Sequence, residues 1–415
     1  MNEVRNILVG LDIGPDRSQI CYYDRKAKEP VSVPTRVGTN LFAFPTMLVK
    51  MSGREEWHYG FEAEYFAARP GGIRVPNPYE TALGTETVMI EGAPVEAYLP
   101  LAVFIRESLR MLGVPRPAQV VSGIAVTSEK MTPCLAENIL RALKHLGFDR
   151  RISIVCDHME SFYYYCYSLR PEIWSKSLGL IRFRGDEASF TAMRESRGTK
   201  PFAALTSDEG GAALPKEAEA RDRDFSAAVE QWTEGSAYSA IFITGSGFST
   251  EWAKLSVRTL SRAASHVFEG DNLFAKGACY ALLEQLEKHA FDGRIFLGEE
   301  HTRFELGVDV IEGGSQHFLP LIRAGRAYYL CGTECDLILD GRDDLMVTVC
   351  AYDGSRHRNV HIALDGLPER PPRASRLRVS ASMESPDTAL VRAEDLGFGE
   401  LYAATHKVWE MRIEQ

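Results

Sequence analysis

The sequence predicts an α/β module built from two related halves, followed by an all-β module. Three observations carry that prediction. Apolar strands alternate with helical periodicity as far as Ala290, a second strand–turn–strand passage restarts the pattern at Leu178, and the stretches beyond alternate with a period of two.

Length and composition bound the rest. At 415 residues the chain is too long for one core, and 45% apolar with 25% charged residues is ordinary globular chemistry, so two or three domains are expected. A net charge of −10 leaves no basic footprint, which excludes nucleic acid as a partner. The opening MNEVRN carries both charge signs and runs straight into a strand, and no run reaches the length of a bilayer span; a cytoplasmic protein without membrane contact is expected. Cysteines such as Cys21, Cys156, Cys166, Cys279 and Cys350 lie scattered in apolar segments and read as reduced core thiols. Cys331 and Cys335 are the one close pair, and with no matching His or Cys pair nearby no metal site is expected.

The elements follow in order. ILVGLDIGPDRSQICYYD, residues 7–24, reads as a β-hairpin with Asp12 at its mouth. Strands and turns continue through FAFPTMLVK. Leu99, Ala102, Val103, Leu109 and Leu112 recur at helical spacing until Gly113 and Pro115. The strand AQVVSGIAVTSEK then leads into a helix that Thr132 caps, Pro133 opens and Gly147 closes, with Leu135, Ile139, Leu143 and Leu146 as its buried stripe. ISIVCD and SFYYYCYSL repeat the strand–helix order. The second half begins with LGLIRFRGDEASFTAMRES. Residues 207–224, SDEGGAALPKEAEARDRD, read as a solvated loop or surface helix, YSAIFITGSGF as a strand, STEWAKLSVRTLSRAASHVF as one long helix and NLFAKGACYALLEQLEKH as another.

Beyond Ala290 the period changes. Leu377, Val379, Ala381 and Met383 alternate with Arg376, Arg378, Ser380 and Ser382, and LMVTVCAYDG, TALVRAED and HKVWEMRI behave alike, so a small β-sandwich is expected. His357 and His361 alternate on one strand and read as surface residues. The domains expected are 1–176, 177–290 and 291–415.

These segments, in this order, resemble the DnaK-type heat-shock chaperones of the actin-like ATPase superfamily, whose core is ribonuclease-H-like. VGLDIG resembles their first phosphate hairpin, FPTMLV with YGFEAEYFAARPGG the segment after it, and GIAVTSEKMTPCLAENILRALKHLGFDRRISIVCDHMESFYYY their strand, helix and acidic connection, with Asp157 at the acidic position. AIFITGSGFS resembles the glycine turn facing adenosine, FEGDNLFAKGACYALLE the helix that follows, and GLPERPPRASRLRVSASM with HKVWEMRI the peptide-binding β-domain. The resemblance implies ATP or ADP with Mg²⁺ between two lobes, each offering a hairpin turn whose backbone N–H groups face the phosphates. It implies Asp12, Gly14, Ser18, Gly185, Gly245, Ser246, Gly247 and Phe248 as nucleotide-binding residues, Asp12 and Asp157 as the candidate catalytic acids, and Val347 and Val349 as peptide-groove residues, with a protein or peptide client as partner.

The sequence also departs from that pattern. Pro15 and Asp16 stand where hydroxyl-bearing residues follow the glycine; proline removes an N–H, and Asp16 adds negative charge near a phosphate. In RFRGDEASF only Gly185 survives from a glycine-rich turn, with Arg182 near the place of an acid. Arg182 or Arg184 either supplies a counter-charge for phosphate or belongs to an ordinary exposed hairpin. Arg74 is the nearest cation to the catalytic lysine's place. The passage between FTAMRES and AIFITG is too short for the family's adenine-covering subdomain, FDGRIFLGEE lacks the apolar interdomain linker, and the chain stops at Gln415 before a helical lid. Val347 and Val349 line a groove or sit on the inner face of a sandwich. The expectation is a chaperone-like pseudo-ATPase, a peptide-binding or scaffold module with weak or absent ATPase activity. The alternative is an active ATP-hydrolysing chaperone using Asp12, Asp157 and an arginine; an actin-like filament former comes third.

Overall fold

The computed structural model describes residues 6–36, 38–114, 117–270, 272–289, 291 and 293–415. The fold is mixed α/β with several sheets. The chain forms two compact units, Met1–Arg194 with Ser207–Asp292, and Glu195–Thr206 with Gly293–Gln415. Ala290, where the α/β pattern ends in the sequence, Pro115 beside the helix stop at Gly113, and the first five residues of MNEVRN lie outside the described residues.

In the first unit, β1 (Ile7–Ile13), β2 (Arg17–Asp24) and β3 (Glu29–Ser32) form an antiparallel meander, as their short turns dictate. β4 (Phe44–Pro45) adds to β2. A small sheet of β5 (Leu48–Met51), β6 (Trp57–Tyr59) and β7 (Gly72–Arg74) carries α1 (Gly60–Ala67). Then come α2 (Pro78–Ala82), the hairpin β8 (Val88–Ile90) and β9 (Ala93–Val95), α3 (Tyr98–Ser108) and α4 (Pro117–Val120). β10 (Val121–Ser128) lies parallel to β1, and α5 (Pro133–His145) returns the chain to β11 (Ser153–Asp157), parallel to β10. The Thr132 hydroxyl accepts from the Leu135 N–H at 3.2 Å, and Gly147 closes the end of α5 with φ +85°.

α6 (His158–Tyr167) leads into the second half. Here β12 (Ser177–Arg184) and β13 (Glu187–Ser196) form a hairpin, β14 (Phe202–Ala213) follows, and α7 (Ala218–Thr233) precedes β15 (Tyr238–Ser246). α8 (Lys254–Ala263), β16 (Ala264–Glu269) and α9 (Leu273–Leu283) complete it, giving the strand order β16-β15-β12-β13-β14. α9 returns to the first half, where Ala275, Cys279 and Leu282 share a core with Leu8 and Ala125. It can cross α6 closely because residue 277 is glycine; a Cβ there would lie 2.0 Å from the Ser161 carbonyl oxygen.

Two expectations are corrected here. The long helix ends at Ala263, and Ala264–Glu269 is a strand parallel to β15. Val267 and Phe268 find partners in Ile241 and Phe242, so sheet pairing overrides the helical reading. Residues 207–224 are neither loop nor purely surface helix. Ser207–Ala213 belongs to β14, and α7 starts at Ala218 under an unusual cap, the Glu217 carboxylate, which accepts from the N–H groups of Glu219 and Ala220. Arg221 and Asp222 within that stretch are buried.

In the second unit β17 (Arg294–Leu297) pairs in parallel with Phe202–Leu205, so FDGRIFLGEE holds a strand with Phe296 and Leu297 buried. β18 (Phe304–Glu312), β19 (Ser315–Ile322), β20 (Gly332–Leu339), β21 (Asp344–Ala351), β22 (His357–Ala363), β23 (Ser375–Ser385), β24 (Thr388–Asp395) and β25 (Val408–Glu414) form two antiparallel sheets, ordered β19-β18-β21-β22 and β20-β23-β24-β25. Both feed one core: Leu306 and Val347 from the first meet Leu377, Val379 and Val391 from the second. β23 buries Leu377, Val379, Ala381 and Met383 and exposes Arg376 and Arg378, as its two-residue period requires. All eight cysteines are free thiols. Among the described residues no helix is long and apolar enough to cross a membrane.

Candidate functional site

Register places three acids at one edge of the first sheet. Asp12 pairs with Thr127 near the end of β1, Asp157 pairs with Ser128 at the end of β11, and Glu129 follows β10 directly. Each already has a protein partner. Asp12 lies 2.8 Å from His158 Nε2, and the His158 ring stacks on Phe274 with centroids 3.7 Å apart. Asp157 caps α6, accepting from the Glu160 N–H at 2.7 Å. Glu129 meets both Arg182 and Arg184, which project from β12 of the other half. Burial pushes the Arg182 pKa down, while Asp157 and Asp208 pull it back up.

The first hairpin turn is tied into the protein. The Gly14 N–H donates to the Arg17 carbonyl, the Thr46 N–H donates to the Asp16 carbonyl, and the Asn77 amide donates to the Pro15 carbonyl at 2.8 Å. Asn77 also caps α2 through the N–H groups of Tyr79 and Glu80. Ser18 is buried, with its hydroxyl 2.8 Å from that of Thr46.

In the second half an arginine joins two turns. The Arg221 guanidinium donates to the carbonyls of Gly185 at 2.6 Å and Gly247 at 3.3 Å, pairs with Asp186 at 2.8 Å and lies over the Trp252 ring at 5.0 Å. The Gly185 N–H donates to the Ser246 carbonyl at 2.7 Å. Glycine is required for this closeness: a Cβ at residue 245 would lie 2.0 Å from the Phe183 carbonyl oxygen, and one at residue 247 would lie 2.2 Å from that of Gly185. The glycines of GSGF thus let two backbones touch. Phe248 joins an aromatic cluster with Phe183, Phe225 and Trp252, while Ser246 is exposed.

The arrangement is a sheet edge at which Glu129 meets two arginines from the other half. It fits a magnesium–nucleotide complex poorly. Pro15 offers no N–H, Asp12 is paired with His158 and Asp157 caps α6, and the Gly185 N–H is spent on the Ser246 carbonyl. Among the described residues no three His, Cys, Asp or Glu side chains gather where a metal ion could bind.

Residues expected elsewhere have other settings. Arg74 lies exposed on β7. Val347 and Val349 are 0% and 4% exposed within the core of the second unit, and Val349 also adjoins a cavity lined by Arg356, His357 and Arg358. His361 pairs with Asp344 at the surface, and His357 is exposed. Sequence reasoning missed His158 and Arg221. His158 had a signal, its place directly after Asp157; Arg221 sits in the charged run EARDRD, where nothing in the spacing separates it from its neighbours.

No curated protein matches this chain. Residues 301–415 match a domain of unknown function, DUF8552. One family model spans residues 29–299, joining both halves of the α/β part and covering well over half of the chain; the protein belongs to that family, the C-terminal region of the family of unknown function DUF5716.

Proposed function

We propose that this protein is a chaperone-like binding or scaffold module: a two-lobed fold of the actin-like ATPase kind with a degenerate nucleotide cleft, joined to a β-sandwich, with weak or absent ATPase activity. The observation that carries the reading is that three arginines engage the groups a nucleotide site would leave free. Arg182 and Arg184 pair with Glu129 of the other half, and Arg221 clamps the carbonyls of two glycine turns whose backbones touch. In a nucleotide site a glycine turn offers its N–H groups to phosphate, whereas here the Gly185 N–H is spent on the Ser246 carbonyl. With its acids and turn N–H groups engaged by the protein itself, the framework serves to present surfaces. The partner is a protein or peptide. The free thiols agree with a reducing compartment such as the cytoplasm.

Calorimetric titration of the full chain with ATP and ADP, with and without Mg²⁺, tests the reading. No saturable heat is expected. Saturable binding weakened by Asp12→Ala, together with turnover, would replace this proposal by the ATP-hydrolysing alternative.

A further inference from the structure

β16 is an edge strand that lacks the usual protection. Such strands are normally short of apolar residues or carry proline, lysine or a bulge that discourages pairing. Here the sequence is ASHVFE, the register with β15 runs without a shift, and Ser265 to Glu269 are all exposed, with Val267 and Phe268 each 38% accessible. A cavity of 350 Å³ adjoins it, lined in part by Val257 of α8 and by Ser265, Val267 and Glu269.

The free side of β16 has a definite polarity. The Gly270 N–H donates to the Ile243 carbonyl, so the even-numbered residues turn their backbone groups toward β15. The period of two then directs the N–H and C=O of Ser265, Val267 and Glu269 outward. We infer that a second copy of this chain pairs there, antiparallel, about a two-fold axis through Val267. A closed two-fold contact must be self-complementary, and this strand is. Val267 faces its own copy as a hydrogen-bonded pair, Ser265 faces Glu269, and His266 faces Phe268. No like charges meet. On one face the paired valines roof the cavity; on the other, the His266–Phe268 contacts extend the stack of Phe268 on Phe242, whose centroids are 5.0 Å apart.

Sedimentation velocity of the full chain from micromolar to submillimolar concentration tests this. A concentration-dependent dimer is expected. Val267→Lys places two ammonium groups across the axis and weakens it more than about tenfold. Ser265→Lys, opposite Glu269, tightens the dimer about fivefold, and Ser265→Glu weakens it about fivefold. These side chains are exposed, so the variants keep the monomer fold. A chain that stays monomeric throughout, or a dimer indifferent to both the Val267 change and the sign of the charge at residue 265, overturns the inference.

Discussion

Two arginine–carboxylate contacts show how differently one interaction type is used in the two units. In the second unit Arg370 and Asp395 have side chains only 3% and 0% exposed, joined by two parallel hydrogen bonds of 2.7 and 2.8 Å. Asp395 also accepts from the N–H groups of Gly397 and Thr405 and from the Thr405 hydroxyl, and so fixes the loop between β24 and β25. In the first unit the pairing of Glu129 with Arg184 is 39% and 66% exposed. The buried pair is a structural rivet; the exposed one is screened by water and can open at little cost. The contact of β12 with Glu129 is therefore weak enough to part, whereas the Arg370–Asp395 pair in the second unit is not.

The sharpest way to break the contrast is Asp395→Asn. It leaves Arg370 buried without its counter-charge and should destabilise the second unit by about 3–5 kcal/mol in a denaturant titration followed by the fluorescence of Trp409. The same carboxylate sets an acid limit. Burial alone would raise its pKa, yet Arg370 and the N–H groups of Thr405 and Gly397 hold it well below the usual range. Its stabilising contribution is thus present above the ordinary carboxyl pKa and lost as pH falls through and below that value. Denaturation at falling pH should show the native unit losing stability below about pH 4, with the Asn variant flatter there.

Arg221→Ala comes next. It removes charged hydrogen bonds to two turn carbonyls and to Asp186, which is 49% exposed, so about 2–3 kcal/mol is expected in the first unit. Faster amide exchange at Gly185 would accompany the loss, and an unchanged exchange rate would show that the turns hold themselves. Asn77→Ala removes the α2 cap and the bond to the Pro15 carbonyl; about 1–2 kcal/mol should be lost. Glu129→Gln stands last, with less than about 1 kcal/mol of stability at stake. Its readout is loosening of the Arg182 and Arg184 contacts, seen as increased hydrogen exchange in β12 with the melting temperature nearly unchanged. A large thermal destabilisation would mean that the exposed contact resembles the buried one after all.

Much of the frame was legible because period and punctuation are local. The hairpin at residues 7–24, the cap and stop of α5 and the alternation in β23 all follow from residues a few positions apart. The reading failed where a distant partner decided. β16 looks helical until β15 supplies its ladder, and EARDRD looks solvated until two glycine turns close around Arg221.

The sequence by itself determined the order of strands and helices, the change of period beyond Ala290 and the presence of acids and arginines near the strand ends. Only the tertiary structure decided which of those charges meet. Asp12 lies against His158 and Glu129 against Arg182 and Arg184 because parallel register brings the ends of β1, β10 and β11 to one edge and sets β12 opposite them. Side-chain chemistry is written residue by residue, but a charge takes its role from neighbours that are far away in the chain and are placed by packing.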